Sequence, residues 1–284
     1  MTKMVKRAYL VAAIILLTVI SPLYGETLKA VATIYPLASI VASVGGERVR
    51  VKTLVPPGAS PHDYELRPSD LAEIRKASLL AMVGAHLDQW LDKALKKEKK
   101  AVFILTQGLV LEEGNPHVWL DPILVEKRVP ALVDVLSRLD PEGAAYYEAR
   151  GKAFMEELEA LTKRIRKLLA PLPCREYLSQ HGAWLYFGER FGLTCLGVVE
   201  EVPGREPGPR RFMELVKLAR SHPRVLLFTD KGENPRIMEV LARDGGGILV
   251  QMDPLGDPRD PVRRSLVDLL FYNTWRIVHA CSRH

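Results

Sequence analysis

The sequence predicts an α/β protein of two lobes, each with a mostly parallel sheet, joined by one long rigid helix. Three observations carry this. Strand-like and helix-like stretches alternate through both halves, the signature of βαβ units. A single uninterrupted helical pattern separates the halves. The composition, 48% hydrophobic and 26% charged over 284 residues, is that of an ordinary globular chain. That length suffices for one large domain or two of about 120 residues each.

The elements follow in order. In the first half the strand-like runs are KAVATI (29–34), VRVKTLV (49–55), LLAMVG (79–84) and AVFIL (101–105), with a helical stretch, SDLAEIRKA, after Pro68. In the second half they are REYLSQ (175–180), TCLGVV (194–199), VLLFTD (225–230) and GILVQMD (247–253). Helices RRFMELVKLARSH and NPRIMEVLARDG lie between the later ones, the second opened by Asn234 with Pro235 at its first position. Residues 140–170 carry Phe154, Leu158, Leu161, Ile165 and Leu168 at helical spacing, opened by Asp140–Pro141 and closed by Pro171. One helix of ~28 residues would run about 42 Å and act as a strut. The last stretch, 261–280, reads as a closing amphipathic helix. The expected organisation is therefore 1–25 leader, 26–139 amino-terminal lobe, 140–170 linker helix and 171–284 carboxy-terminal lobe.

The leader reads as an export signal. Lys3, Lys6 and Arg7 precede the apolar run Ala8–Ile20, 13 residues long, against the ~20 needed to span a membrane. Leu23 before Gly25 fits a cleavage site poorly, so an uncleaved anchor is the alternative. A lipid anchor on cysteine is excluded, because no Cys lies near. The body is expected to work outside the cytoplasm, in the periplasm or the extracellular space. The formal net charge is +6, but the leader holds three of those charges and no acid. The body is only mildly basic and lacks basic runs interleaved with aromatics, which argues against nucleic-acid binding.

The three cysteines are Cys174, Cys195 and Cys281. In an oxidising compartment a Cys174–Cys195 bridge is geometrically reasonable, since each precedes a strand and the two strands could be neighbours. Cys281 is expected to be unpaired.

The chemistry lies at the strand ends. In open α/β sheets, ligands sit beyond the carboxyl ends of the strands. His62 lies in the loop PPGASPHDYELRPSD after strand 49–55, and His117 in GNPHVWLDP after strand 101–105. His181 ends REYLSQH, and Asp253 ends GILVQMD. Two come from each half, so all four could meet in a cleft between lobes. Each alone is a weak signal; their shared position is the stronger one. Cys174 lies roughly 23 Å from His181 along an extended strand, which rules out a sulfur ligand. Three imidazoles and a carboxylate suit tetrahedral Zn2+, whereas Mn2+ would prefer more oxygen. Asp63, Glu65, Glu200 and Glu201 could supply such oxygens but read more simply as solvated rim. His86 is the next most credible ligand, with a surface role preferred. His222, His279 and His284 read as turn and tail residues.

These segments resemble the zinc/manganese-binding solute-binding proteins of ABC importers, whose two lobes are joined by a single long helix. The resemblance covers nearly the whole body. TIYPLASIVASVGGERVRVKTLVPPGASPHDYELRPSD is similar to the family's amino lobe with its first His motif, and GNPHVWLDP is the most specific segment. SQHGAWLYFGERFGL and VQMDPLGD resemble the segments with the third and fourth ligands. The resemblance implies the same ligand set, His62, His117, His181 and Asp253, and a histidine at the third position tilts it toward zinc. It also implies an exported monomer that captures a divalent metal and hands it to a membrane ABC permease with its ATPase. Two departures stand out: no His-rich loop precedes His117, and Thr229–Asp230 occupies a place where the family often has Glu. Manganese or iron binding within the same family is the alternative. An adhesin, or an exported zinc hydrolase, is a more distant one. No HExxH is present, and a filled four-ligand site favours capture over turnover.

Overall fold

The computed structural model describes residues 27–95, 100–202 and 204–283. The expected leader, 1–25, and His284 lie outside the described residues. Among the described residues, no helix is long and apolar enough to cross a membrane.

All eight expected strands form. The first lobe holds β1 (Leu28–Ala32), β2 (Val49–Thr53), β3 (Leu79–Met82) and β4 (Ala101–Ile104). They pair in parallel in the order β2-β1-β3-β4. The second lobe holds β5 (Glu176–Ser179), β6 (Thr194–Val198), β7 (Leu226–Asp230) and β8 (Ile248–Met252). Their order is β6-β5-β7-β8, again all parallel. The two lobes thus repeat one topology. The central strands β3 and β7 are buried at every position, which is why they read as continuous apolar runs rather than alternating ones.

Helices cover both faces. In the first lobe α1 is Tyr35–Gly45, α2 is Pro68–Lys76, α3 is Pro122–Glu126 and α4 is Val129–Leu139. The linker α5 spans Ala144–Leu169, 26 residues, or about 39 Å at 1.5 Å per residue. A 3-10 turn, Pro141–Gly143, leads into it, and Asp140 caps that turn by accepting from Gly143 N. Its buried stripe runs Tyr147, Gly151, Phe154, Leu158, Leu161, Ile165, Leu169. The stripe closes on Leu169 rather than on Leu168, one position beyond the predicted one. In the second lobe α6 is Leu185–Phe191, α7 is Pro209–Ser221, α8 is Arg236–Gly245 and α9 is Leu266–Ser282. The linker packs against α1, α3 and α4 on one side and α9 on the other. One large apolar core therefore runs through both lobes and the linker. A second, smaller core lies in the carboxy-terminal lobe with α7 and α8, around Leu178, Leu215, Leu227, Met238 and Leu241.

Two expectations need correction. The closing helix starts at Leu266, not near 261, because Ser265 caps it by accepting from Asp268 N. Residues 261–265 form a loop instead, and it matters below. The Cys174–Cys195 bridge is not formed, and all three cysteines are free. Cys195 sits opposite Tyr177 in the β5–β6 register, and Cys174 precedes β5 altogether. The thiol beside Cys174 is that of Cys281 on α9; burial first, and Cys174 second, raise its pKa.

Candidate metal centre

The loop after β2 is built to hold His62 still. Pro56–Ala59 is a tight turn closed by Ala59 N donating to Pro56 O at 3.1 Å. Gly58 has φ 84°, the left-handed conformation such a turn requires at its third residue. Beyond it, Trp90 Nε1 donates to Pro61 O at 3.1 Å, and its ring meets Tyr64 edge-on at 5.0 Å. Tyr64 OH in turn donates to Asp70 Oδ2 at 2.8 Å at the start of α2. The residues on either side of the His62 imidazole are pinned. Asp63 and Glu65 are exposed.

His117 is held by its own neighbour. Asn115 Oδ1 accepts from His117 N at 3.0 Å and lies 2.6 Å from His117 Nδ1. Asn115 also spans the cleft, donating through Nδ2 to Gly182 O at 2.8 Å. His181 follows β5 and is held by a carboxylate: its Nδ1 lies 2.6 Å from Asp230 Oδ2. Trp184 Nε1 donates to the other oxygen of Asp230 at 2.6 Å. In both rings an Nδ1 proton would be committed to an acceptor, which leaves Nε2 as the atom a metal ion could use.

These three histidines converge. One ring nitrogen of each lies within 4.8 Å of the others. The ring centroids are 5.0 to 5.9 Å apart, and the Nε2 atoms of His117 and His181 are 3.3 Å apart. His62 Nε2 is buried and has no hydrogen-bond partner. A buried polar atom left bare is costly, and a metal ion is the partner that all three nitrogens would share. A cavity of about 20 Å³ lies against the trio, room for about one small sphere. A wider groove of about 910 Å³, lined by Glu112, Asn115 and Glu201 among others, opens on the same three rings.

Asp253 does not join that set. It is buried directly after β8, and Asn273 holds its backbone on both sides. Its Oδ1 accepts from Leu255 N at 2.9 Å and Gly256 N at 2.8 Å. Its Oδ2 accepts from the buried guanidinium of Arg263. The next residues, Pro254 and Leu255, do line the cavity, and Trp119 Nε1 anchors Pro254 O at 2.8 Å.

The three rings differ electrostatically. Burial, with the His181 charge second, lowers the pKa of His62 to about 4. Burial, again with His181 second, holds His117 well below the ordinary value. For His181 burial acts in the same direction, but the charge and hydrogen bond of Asp230, aided by Glu233 and Glu200, outweigh it and raise the pKa. When His181 carries its second proton, that proton faces His117 Nε2. A metal ion held there would compete with that proton for one atom.

Glu200 is not a solvated rim residue, contrary to expectation. It is buried, accepting from Gln180 Nε2 at 3.2 Å and Gly204 N at 2.9 Å. His86 is exposed and outside the centre. His222 bonds Leu218 O at 2.8 Å and His279 stacks on Trp275 at 4.8 Å, so neither faces the site. Two orienting residues escaped the sequence reading. Asn115 could have been found from its place two residues before His117, where an Asn side chain reaches its own backbone. Asp230 was visible only as a departure from the family pattern.

Comparison with known proteins identifies the family. A family model for ZnuA, zinc-uptake complex component A periplasmic, matches residues 30–280. The chain is 26% identical over 244 residues to the high-affinity zinc uptake system protein ZnuA of Bacillus subtilis, covering 78% of this chain and 76% of that one. It is 29% identical over 231 residues to the manganese-binding lipoprotein MntA of Halalkalibacterium halodurans, covering 78% and 77%. A crystal structure of ZnuA superposes with a TM-score of 0.80 at 26% identity, covering 90% of this chain and 100% of that one.

Proposed function

The chain belongs to the ZnuA family of periplasmic metal-binding components of ABC importers, and on that premise we propose that its cargo is zinc. This family is a transport component, not an enzyme. The observation that carries the zinc reading is the donor set: three imidazole nitrogens around one small cavity, one of them buried and bare. Imidazole suits zinc, while manganese prefers a site richer in oxygen. His62, His117 and His181 are the first three ligands in this reading, and Asp253 supplies the fourth. Of the acidic residues that could add oxygens, Asp63 and Glu65 are exposed and Glu200 is engaged elsewhere, which leaves Glu233 as the one uncommitted acid among the described residues along the cavity.

In this reading the protein acts as an exported monomer. It holds the ion in the cleft between lobes and releases it to a membrane permease driven by its ATPase. The cleft is tied across by direct contacts beside the site. Arg190 of α6 clamps the buried Asp121, with Nε at 2.9 Å from both oxygens, and Tyr186 OH donates to Asn115 O at 3.0 Å. With the linker packed on both lobes, release requires small movements of the Asp253-bearing loop rather than a wide hinge. The test is metal analysis of the purified protein with competitive titration of zinc and manganese. Zinc should bind at least about 100-fold more tightly, in line with the ordering of divalent metals at nitrogen-rich sites. Equal or tighter manganese binding overturns the zinc assignment.

A further inference from the structure

Arg263 is placed where nothing in the transport function described so far requires it. Its side chain is 7% exposed and so is almost wholly desolvated, and it meets Asp253 Oδ2 through Nη1. It does not depend on Asp253 for its own place. Its Nε and Nη2 both donate to Asp260 Oδ2, at 2.9 and 2.6 Å. Its backbone is fixed at both ends, by Arg263 N donating to Asp260 O at 3.0 Å and Asp257 N donating to Arg263 O at 3.2 Å. Its guanidinium lies 5.4 Å from the centre of the Tyr272 ring. Gly256, at φ 72°, lets this loop close; a Cβ there would stand 2.8 Å from Arg263 O.

Asp253 is held asymmetrically in turn. Oδ1 has two backbone donors that stay with it in any rotamer close to this one, while Oδ2 has Arg263. Oδ2 is thus the exchangeable oxygen, and the guanidinium already has a second carboxylate to fall back on.

We propose that Arg263 competes with the metal ion for Asp253 Oδ2 and so sets the affinity and release rate of the site. Zinc binding swaps Arg263 for the ion on Oδ2 while Arg263 keeps Asp260. Release restores the Arg263–Asp253 pair, which spares the aspartate from being left buried and unpaired as the ion departs. Leaving either charge of such a pair buried and unpaired is costly, so the exchange of partners on Oδ2 is felt in affinity. The inference rests on the reading of Asp253 as fourth ligand.

The experiment compares Arg263→Gln, Asp253→Asn and the double variant by competitive zinc titration and by the rate of zinc loss to a chelator. Arg263→Gln should raise zinc affinity about 10-fold or more and slow loss correspondingly. In the Asp253→Asn background the same change should do nothing. A zinc-loaded wild-type structure should show Oδ2 on the ion and Arg263 on Asp260 alone; this readout needs no variant to fold. If Asp253→Asn weakens binding but Arg263→Gln leaves it unchanged or weaker, the competition is overturned while Asp253 remains a ligand. If Asp253→Asn leaves binding unchanged, the ligand reading fails and the competition fails with it. Arg263 still on Oδ2 in the zinc-loaded structure overturns the competition by itself.

Discussion

In the amino-terminal lobe, His62 and His117 reach the centre on loops well beyond the strands they follow, β2 ending at Thr53 and β4 at Ile104. In the carboxy-terminal lobe, His181 and Asp253 come almost directly off β5 and β8, which end at Ser179 and Met252. The partners differ as well. The first lobe offers one bare imidazole and one held by a neutral amide. The second offers an imidazole held by a carboxylate and a carboxylate held by a guanidinium. The two lobes share a strand order but divide the work. The first presents imidazoles that burial keeps neutral at neutral pH. The second carries the charged partners, Asp230 beside His181 and Arg263 beside Asp253.

That division ranks the effects of substitution. The largest belongs to His181, where the nitrogen itself is lost. His181→Ala should weaken zinc binding by more than about 100-fold, beyond the ~10–100-fold of changes to orienting partners. Binding within a few-fold of wild type would remove His181 from the site. Asp230→Asn should follow, with a loss of about 10–100-fold, because it takes away the charge that orients His181 and raises its basicity. Asn115→Ala, the matching change in the first lobe, removes only a neutral partner and should cost less than Asp230→Asn. Isothermal titration of the two variants side by side breaks the comparison if that order is reversed.

The difference in pKa gives the next prediction. Metal binding requires deprotonated rings. His62, at about 4, and His117, held low, are neutral throughout the physiological range. His181 is raised above its ordinary value and keeps a proton longest as pH rises. Affinity should therefore be complete at alkaline pH and fall as pH drops through the His181 range. Three unperturbed histidines would give a slope approaching three protons per ion below about pH 6.5. Here log affinity against pH should fall with a slope near one down to about pH 5 and steepen only as His62 begins to titrate. A slope near three at pH 6 contradicts the division between lobes, and pH-independent binding contradicts the three-histidine site.

Much of this was legible in the sequence, for physical reasons. Parallel strands buried on both faces must be apolar at every position, so β3 and β7 announce themselves as short apolar runs, while β2 and β8 show themselves by alternation. Ligands in such sheets fall beyond carboxyl ends, and that rule picks out His62, His117 and His181 without knowledge of the cleft. What stayed hidden were contacts that no local period encodes. The loop at 261–265 continues the apolar spacing of α9, yet Ser265 stops the helix there and turns Arg263 inward toward Asp253. Cys281 meets Cys174 only because α9 folds back beside the start of β5. Glu200 looks like a surface acid beside Glu201, but Gln180 and Gly204 draw it inside.

The smallest effect is the most exacting test of the comparison. Asp63 is exposed and adjacent to His62, and its charge raises the pKa of that ring against the dominant effect of burial. Asp63→Asn should therefore lower a pKa that is already about 4. The sign matters. A further fall cannot expose more lone pairs at pH 7, where the ring is already neutral. The remaining effect is the loss of one exposed charge near the incoming cation, which solvent and salt screen. Zinc affinity at pH 7 and 0.15 M salt should change by less than about 2-fold. The effect should be confined to acid, where the variant holds its affinity to slightly lower pH than wild type. A large loss at pH 7 would make Asp63 a ligand. It would also add a charged ligand to the lobe whose two rings burial keeps neutral.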